Sequence, residues 1–127
     1  GSGYQAAVLS LLGAAVFTIE RQETLFQHTR KLLDKLGFGA IRCFLRDGAN
    51  GLPEFAPFSK IIVTAGAPVV PEALKKQLAI GGILVIPVGE EEQRMVFIER
   101  KSETVFAEKS LDIFRFVPFL AGIEGKK

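Results

Sequence analysis

The apolar positions change period several times along the chain, and each change marks an element. An apolar run from Ala6 to Leu12 closes at Gly13, the pattern of a short helix. Ala15–Ile19 follows as a strand finishing in Glu20. From Glu23 to Leu36 the spacing is helical, with Leu25, Thr29, Leu32 and Leu36 on one stripe and Phe26 and Leu33 beside it. Glu23 in its first turn, Lys31 and Lys35 near its end and Gly37 beyond match the helix dipole and supply a stop. Ile41–Leu45 predicts a short strand, and the turn formers of 50–57 predict a surface loop.

Lys60–Thr64 is a β-branched run of the kind expected of a strand buried on both faces. Pro71 opens a helix over Glu72–Leu78, which Gly81-Gly82 should end, and Ile83–Val88 reads as the next strand. This alternation predicts an α/β fold with a mostly parallel sheet. Gln93–Lys101 and Glu103–Ile113 have no helix between them, so they predict an antiparallel pair at the C-terminal edge.

Length then bounds the architecture: 127 residues make room for one core, hence a single domain over 1–127. Hydrophobic content of 48% with 24% charged residues is that of an ordinary globular protein. Sixteen basic against fourteen acidic residues, a net charge of +2, give no reason to expect nucleic acid as a partner. The apolar stretches Ala6–Ile19 and Ala79–Val88 are too short or too broken to span a bilayer, so no membrane partner is expected. The one cysteine, Cys43, excludes an internal disulfide and suits a reducing cytoplasm; its apolar neighbours predict a buried, inert thiol. His28, between Gln27 and Arg30, reads as solvated surface.

The opening residues carry the candidate chemistry. Gly1-x-Gly3-x-x-Ala6 fits the G-x-G-x-x-G/A pattern, with Glu20 near the expected spacing of about 20 residues. Glycines let backbone amides approach a ligand at a helix N-terminus, and a carboxylate closing the next strand can accept both hydroxyls of a ribose. A plain glycine turn before a helix satisfies the same pattern, as a solvated strand end satisfies Glu20 and a turn satisfies Asp47-Gly48. The pattern also calls for a strand ahead of Gly1, central to a doubly wound sheet, and without it the neighbouring strands would expose unpaired edges.

Taken together, Gly1-Ser2-Gly3-Tyr4-Gln5-Ala6-Ala7, Thr18-Ile19-Glu20-Arg21, Asp47-Gly48, Ala56-Pro57-Phe58, Ile61–Ala65, Pro71–Leu74, Ile86–Gly89 and Arg115-Phe116-Val117-Pro118 resemble the protein-L-isoaspartate O-methyltransferase family over nearly all of 1–119. The resemblance implies a Rossmann-like fold and methyl transfer from S-adenosyl-L-methionine to the α-carboxylate of isoaspartyl or D-aspartyl residues, a protein repair step. It implies that Gly1, Ser2 and Gly3 line the methionine end of the cofactor, Glu20 takes the ribose, and Asp47 with Gly48 meets the adenine. Arg115, Phe116, Val117 and Pro118 would lie beside the substrate peptide; the same segment could equally pack its aromatics on the core. Two positions depart from the pattern: Arg46 stands where a glycine is usual, and Ser59 where an aspartate is. The family's hydroxyl-rich catalytic loop has no counterpart in these residues, so no catalytic residue is assigned. The rival readings are a nicotinamide-dependent oxidoreductase, invited by the glycine pattern, and an inactive fragment that binds cofactor or a partner.

Overall fold

The computed structural model describes residues 3–114, which divide into two compact units, 3–48 and 49–114. The first unit holds α1 (Tyr4–Leu11), β1 (Phe17–Glu20), α2 (Glu23–Lys35) and β2 (Arg42–Leu45). Gly3, at φ 88°, turns the chain into α1, and Gly13, at φ 94°, turns it out again; left-handed backbone of this kind favours glycine. Strands β1 and β2 run parallel, with Phe17 opposite Arg42 and Glu20 opposite Leu45. Ala6, Leu33 and Ile41 form the core of this unit, with Val16, Phe38 and Cys43 packed against it.

The buried line of α2 differs from the expected stripe. Thr29 and Leu33 are buried, whereas Leu32 and Leu36 are exposed. The helix therefore packs along the 26, 29, 33 line, which has the same period but is rotated from the expected one. Cys43 is also only half-buried rather than sealed in a core.

The second unit is a four-stranded sheet in the order β3 (Phe58–Ile62), β4 (Leu78–Val88), β5 (Gln93–Arg100), β6 (Phe106–Phe114), with α3 (Glu72–Lys76) against it. Only β3 and β4 are parallel; β4–β5 and β5–β6 are antiparallel. The expectation of a mostly parallel sheet is therefore corrected to a mixed one, while the antiparallel C-terminal pair is present. Leu78, Leu84, Ile86, Val96 and Ile98 are at most 1% exposed, and Leu74 of α3 and Ala67 complete the cluster. Each such aliphatic side chain contributes about 1.5–3 kcal/mol on burial.

Two further expectations change. β3 is not buried on both faces: Ile61 packs on the core, but Lys60 and Ile62 are exposed, an alternation that reflects one covered face. Gly81-Gly82 does not end α3, which stops at Lys76; both glycines lie inside β4. There the β3–β4 register jumps from Phe58↔Leu78 to Lys60↔Ile83. A Cβ on Gly82 would stand 2.8 Å from the Ala79 carbonyl oxygen and 2.9 Å from that of Phe58, so the extra residues fit only around a glycine.

Side chains tie this unit's loops down. The Leu52 amide donates to Gln77 Oε1 at 2.9 Å, and Gln77 Nε2 donates to the Asn50 carbonyl at 2.9 Å. Arg100 donates through Nη1 to the carbonyls of Lys76 (3.0 Å) and Leu78 (2.8 Å), through Nη2 to Glu103 (2.8 Å) and through Nε to Ser102 (3.3 Å). Its guanidinium also lies 5.5 Å from the Phe106 ring centre. Among the described residues no helix is long and apolar enough to cross a membrane.

Gln77→Leu removes two hydrogen bonds and strands the amide of Leu52, a residue only 3% exposed. Urea denaturation of the full-length variant is expected to show a loss of about 2–4 kcal/mol, and a change under about 0.5 kcal/mol would contradict the clamp.

Candidate functional site

The parallel pairing of β1 with β2 brings the carboxyl ends of both strands to the same edge, the side on which α/β folds place ligands. Glu20 is the last residue of β1, and the Arg46 amide donates to its carbonyl at 3.1 Å, which carries the pairing one residue past β2. Asp47 follows, and Gly48 begins a short 3-10 turn, Gly48–Asn50. Two carboxylates thus sit at the ends of adjacent parallel strands, reached from positions far apart in the chain.

Gly3 and Glu20 line one pocket, together with Thr18, Ile19, Phe26, Thr29 and Cys43. Its volume of about 20 Å³ holds roughly one water, so it is the floor of a site rather than a container for a nucleoside. Gly3 is irreplaceable at this floor. A Cβ there would lie 2.8 Å from Thr29 Cγ2, in a backbone conformation L side chains rarely adopt. Gly3 thereby brings the start of α1, with its main-chain N–H groups, to the pocket that Glu20 also lines.

The Gln22 amide donates to Glu20 Oε2 at 2.8 Å. Burial of the Glu20 carboxyl opposes ionisation, but the donors around it, the Gln22 and Arg21 amides among them, outweigh this and hold its pKa below the ordinary value. The group is therefore an acceptor at neutral pH. Burial pushes the Cys43 thiol up; Arg30 pulls part of the way back, and Asp34 adds to the rise.

Of the sequence-predicted residues, the structure brings Gly3 and Glu20 into one pocket and sets Asp47 and Gly48 at the same strand edge. Gly1, Ser2, Arg115, Phe116, Val117 and Pro118 lie outside the described residues. Thr18, Phe26, Thr29 and Cys43 were not singled out for the site. The strand period held a signal for two of them, because Thr18 pairs with Cys43 on the face that also carries Glu20. His28 is exposed, as its polar neighbours predict. Among the described residues no three metal-ligating side chains gather.

A glycine-led helix N-terminus next to an ionised acceptor at a parallel strand end is the arrangement in which α/β folds hold nucleotide cofactors. The comparisons make the class specific. The family model for protein-L-isoaspartate(D-aspartate) O-methyltransferase matches residues 1–124. A protein-L-isoaspartate O-methyltransferase of Flavobacterium psychrophilum is 56% identical over 94% of the chain, and that of Azoarcus sp. is 52% identical over 98%. A solved protein-L-isoaspartate O-methyltransferase superposes with a TM-score of 0.85 at 27% identity, covering 93% of this chain and 39% of its own. A beta-aspartate methyltransferase from Plasmodium falciparum, in complex with S-adenosyl-L-homocysteine, shares the fold with a TM-score of 0.73 at 23% identity, over 93% of this chain and 58% of its own. The chain belongs to the protein-L-isoaspartate(D-aspartate) O-methyltransferase family and has its Rossmann-like α/β fold. It spans about half the length of the curated relatives it matches, 56% of the Flavobacterium psychrophilum protein.

The raised thiol gives a check on the pocket. At pH 8.5 a free cysteine is about half thiolate, so Cys43 is expected to react with iodoacetamide more slowly than a free thiol peptide. Its rate should go on rising at pH values where the peptide's has levelled. Equal rates, or a plateau at lower pH, would place the thiol outside the pocket described.

Proposed function

We propose that this chain is the cofactor-binding part of an enzyme that methylates the α-carboxylate of L-isoaspartyl and D-aspartyl residues in damaged proteins, using S-adenosyl-L-methionine. The observation that carries the reading is the shared pocket of Gly3 and Glu20 at the carboxyl end of β1, with Asp47 just beyond β2. The donor set fits the adenosyl group. An ionised carboxylate only accepts, so Glu20 suits the ribose hydroxyls, and Asp47 beside Gly48 suits an exocyclic amine. On the family pattern Gly1, Ser2 and Gly3 line the methionine end.

When bound, the cofactor supplies a methyl group already activated by its sulfonium. The substrate carboxylate is ionised at neutral pH, so the chain has no proton to remove. What its residues supply is alignment: the opening glycines and Glu20 fix the cofactor, and exclusion of water keeps the donor for the carboxylate. Arg115, Phe116, Val117 and Pro118 are the segment proposed to lie along the peptide, with the Arg115 guanidinium suited to pair a carboxylate. Cys43, unpaired among the described residues, suits the reducing cytoplasm in which we place the enzyme. The family assignment disfavours a nicotinamide oxidoreductase and gives no support to an inactive fragment.

Calorimetric titration of the full-length protein with S-adenosylhomocysteine tests the assignment. Glu20→Ala should weaken binding about tenfold to a hundredfold, the loss of charge-assisted hydrogen bonds, and Asp47→Ala about tenfold. Unchanged affinity in Glu20→Ala would overturn it. S-adenosylhomocysteine should also slow alkylation of Cys43, since the thiol shares the pocket with Glu20.

A further inference from the structure

At the carboxyl ends of β3 and β4 a second rim is built around one buried amide. The parallel pairing continues past β3: the Val63 amide donates to the Val85 carbonyl at 2.9 Å, and Ala67 donates to Pro87 at 3.0 Å. Gly89 then donates back to the Ala67 carbonyl at 2.9 Å. Between these bonds residues 64–66 bulge out, and Gly66 lies directly over the side chain of Gln93. A Cβ on Gly66 would overlap the Gln93 amide nitrogen, carbon and oxygen. Gln93 is only 2% exposed, and its Nε2 donates to the Gly89 carbonyl at 3.4 Å, reaching back under the β4–β5 turn. Gly89, at φ 136°, has no room for a side chain against the Glu92 carbonyl.

Burying a primary amide is costly unless it does structural duty, and a core position this deep would be filled more stably by leucine. The amide touches both rim segments, 64–68 and 89–92, and the exposed residues there are Thr64, Pro68, Glu90, Glu91 and Glu92. Ligands of α/β folds lie outside this edge of the sheet. The cofactor residues assigned above all belong to the first unit, and none of them lies on this rim.

We propose that Gln93 is a positioning residue for the peptide substrate: it touches no reactant, and it sets the Gly66 and Gly89 segments at the height the peptide main chain needs. This rests on the methyltransferase reading. It predicts a defect in peptide binding with the cofactor site intact.

The test uses the full-length enzyme with an isoaspartyl peptide. Gln93→Leu should raise KM for the peptide about tenfold, the equivalent of one lost hydrogen bond, with kcat and the Kd for S-adenosylhomocysteine within about twofold. Gly66→Ala, which pushes on the amide from the other side, should raise the same KM. Adding Gln93→Ala to Gly66→Ala makes room for the new methyl and should recover part of the loss in peptide KM, with the Kd for S-adenosylhomocysteine unchanged in all the variants. An unchanged peptide KM in both single variants, or equal losses in peptide KM and S-adenosylhomocysteine affinity, would overturn the inference alone. Unsubstituted enzyme that binds S-adenosylhomocysteine but does not methylate the peptide would overturn the function reading and this inference with it.

Discussion

The first unit depends on the parallel pairing of two four-residue strands, β1 and β2. Parallel register sends both carboxyl ends to one edge, so Glu20 and Asp47 come together although 26 residues of chain lie between them. Antiparallel pairing of the same strands would have put Glu20 opposite the start of β2 and dispersed the carboxylates. The crossover that permits parallel pairing is α2, and its Thr29–Leu33 line also supports Gly3 from beneath. One helix therefore sets the strand direction and the close approach of the glycine.

The second unit is organised differently. Its aliphatic core is ordinary, but two buried glutamines fix the loops that the core cannot reach. Gln77 satisfies the main chain at Asn50 and Leu52, and Gln93 fills the space under Gly66. In each case a glycine faces the amide, since Gly51, like Gly66, has no room for a Cβ beside its glutamine. A planar amide against bare backbone can pack and hydrogen-bond at once, which an aliphatic side chain cannot.

Most of the elements were legible because period and punctuation agreed. Glu23–Lys35 shows its glycine stop and dipole charges in the sequence, and Gly3, Gly13 and Gly37 all adopt the positive φ their places suggest. Glu20 stood out by its spacing of about 20 residues from the opening glycines. What failed to show was pairing at a distance. Gly81-Gly82 reads as a helix stop, and only the position of β3 makes it a bulge inside a long strand. Likewise the period of α2 was plain while its rotation was not, because which line is buried depends on where Gly3 comes to rest. Buried Gln77 and Gln93 were invisible, since a glutamine in sequence gives no sign of the loop it will hold.

Arg100 has a consequence for how the second unit opens. Its guanidinium joins the last carbonyls around α3 to those of the β5–β6 turn. Neither end can fray without unseating a charge from several oxygens at once. Opening of the hairpin tip and opening of the helix terminus are therefore linked through one side chain, despite their separation in sequence.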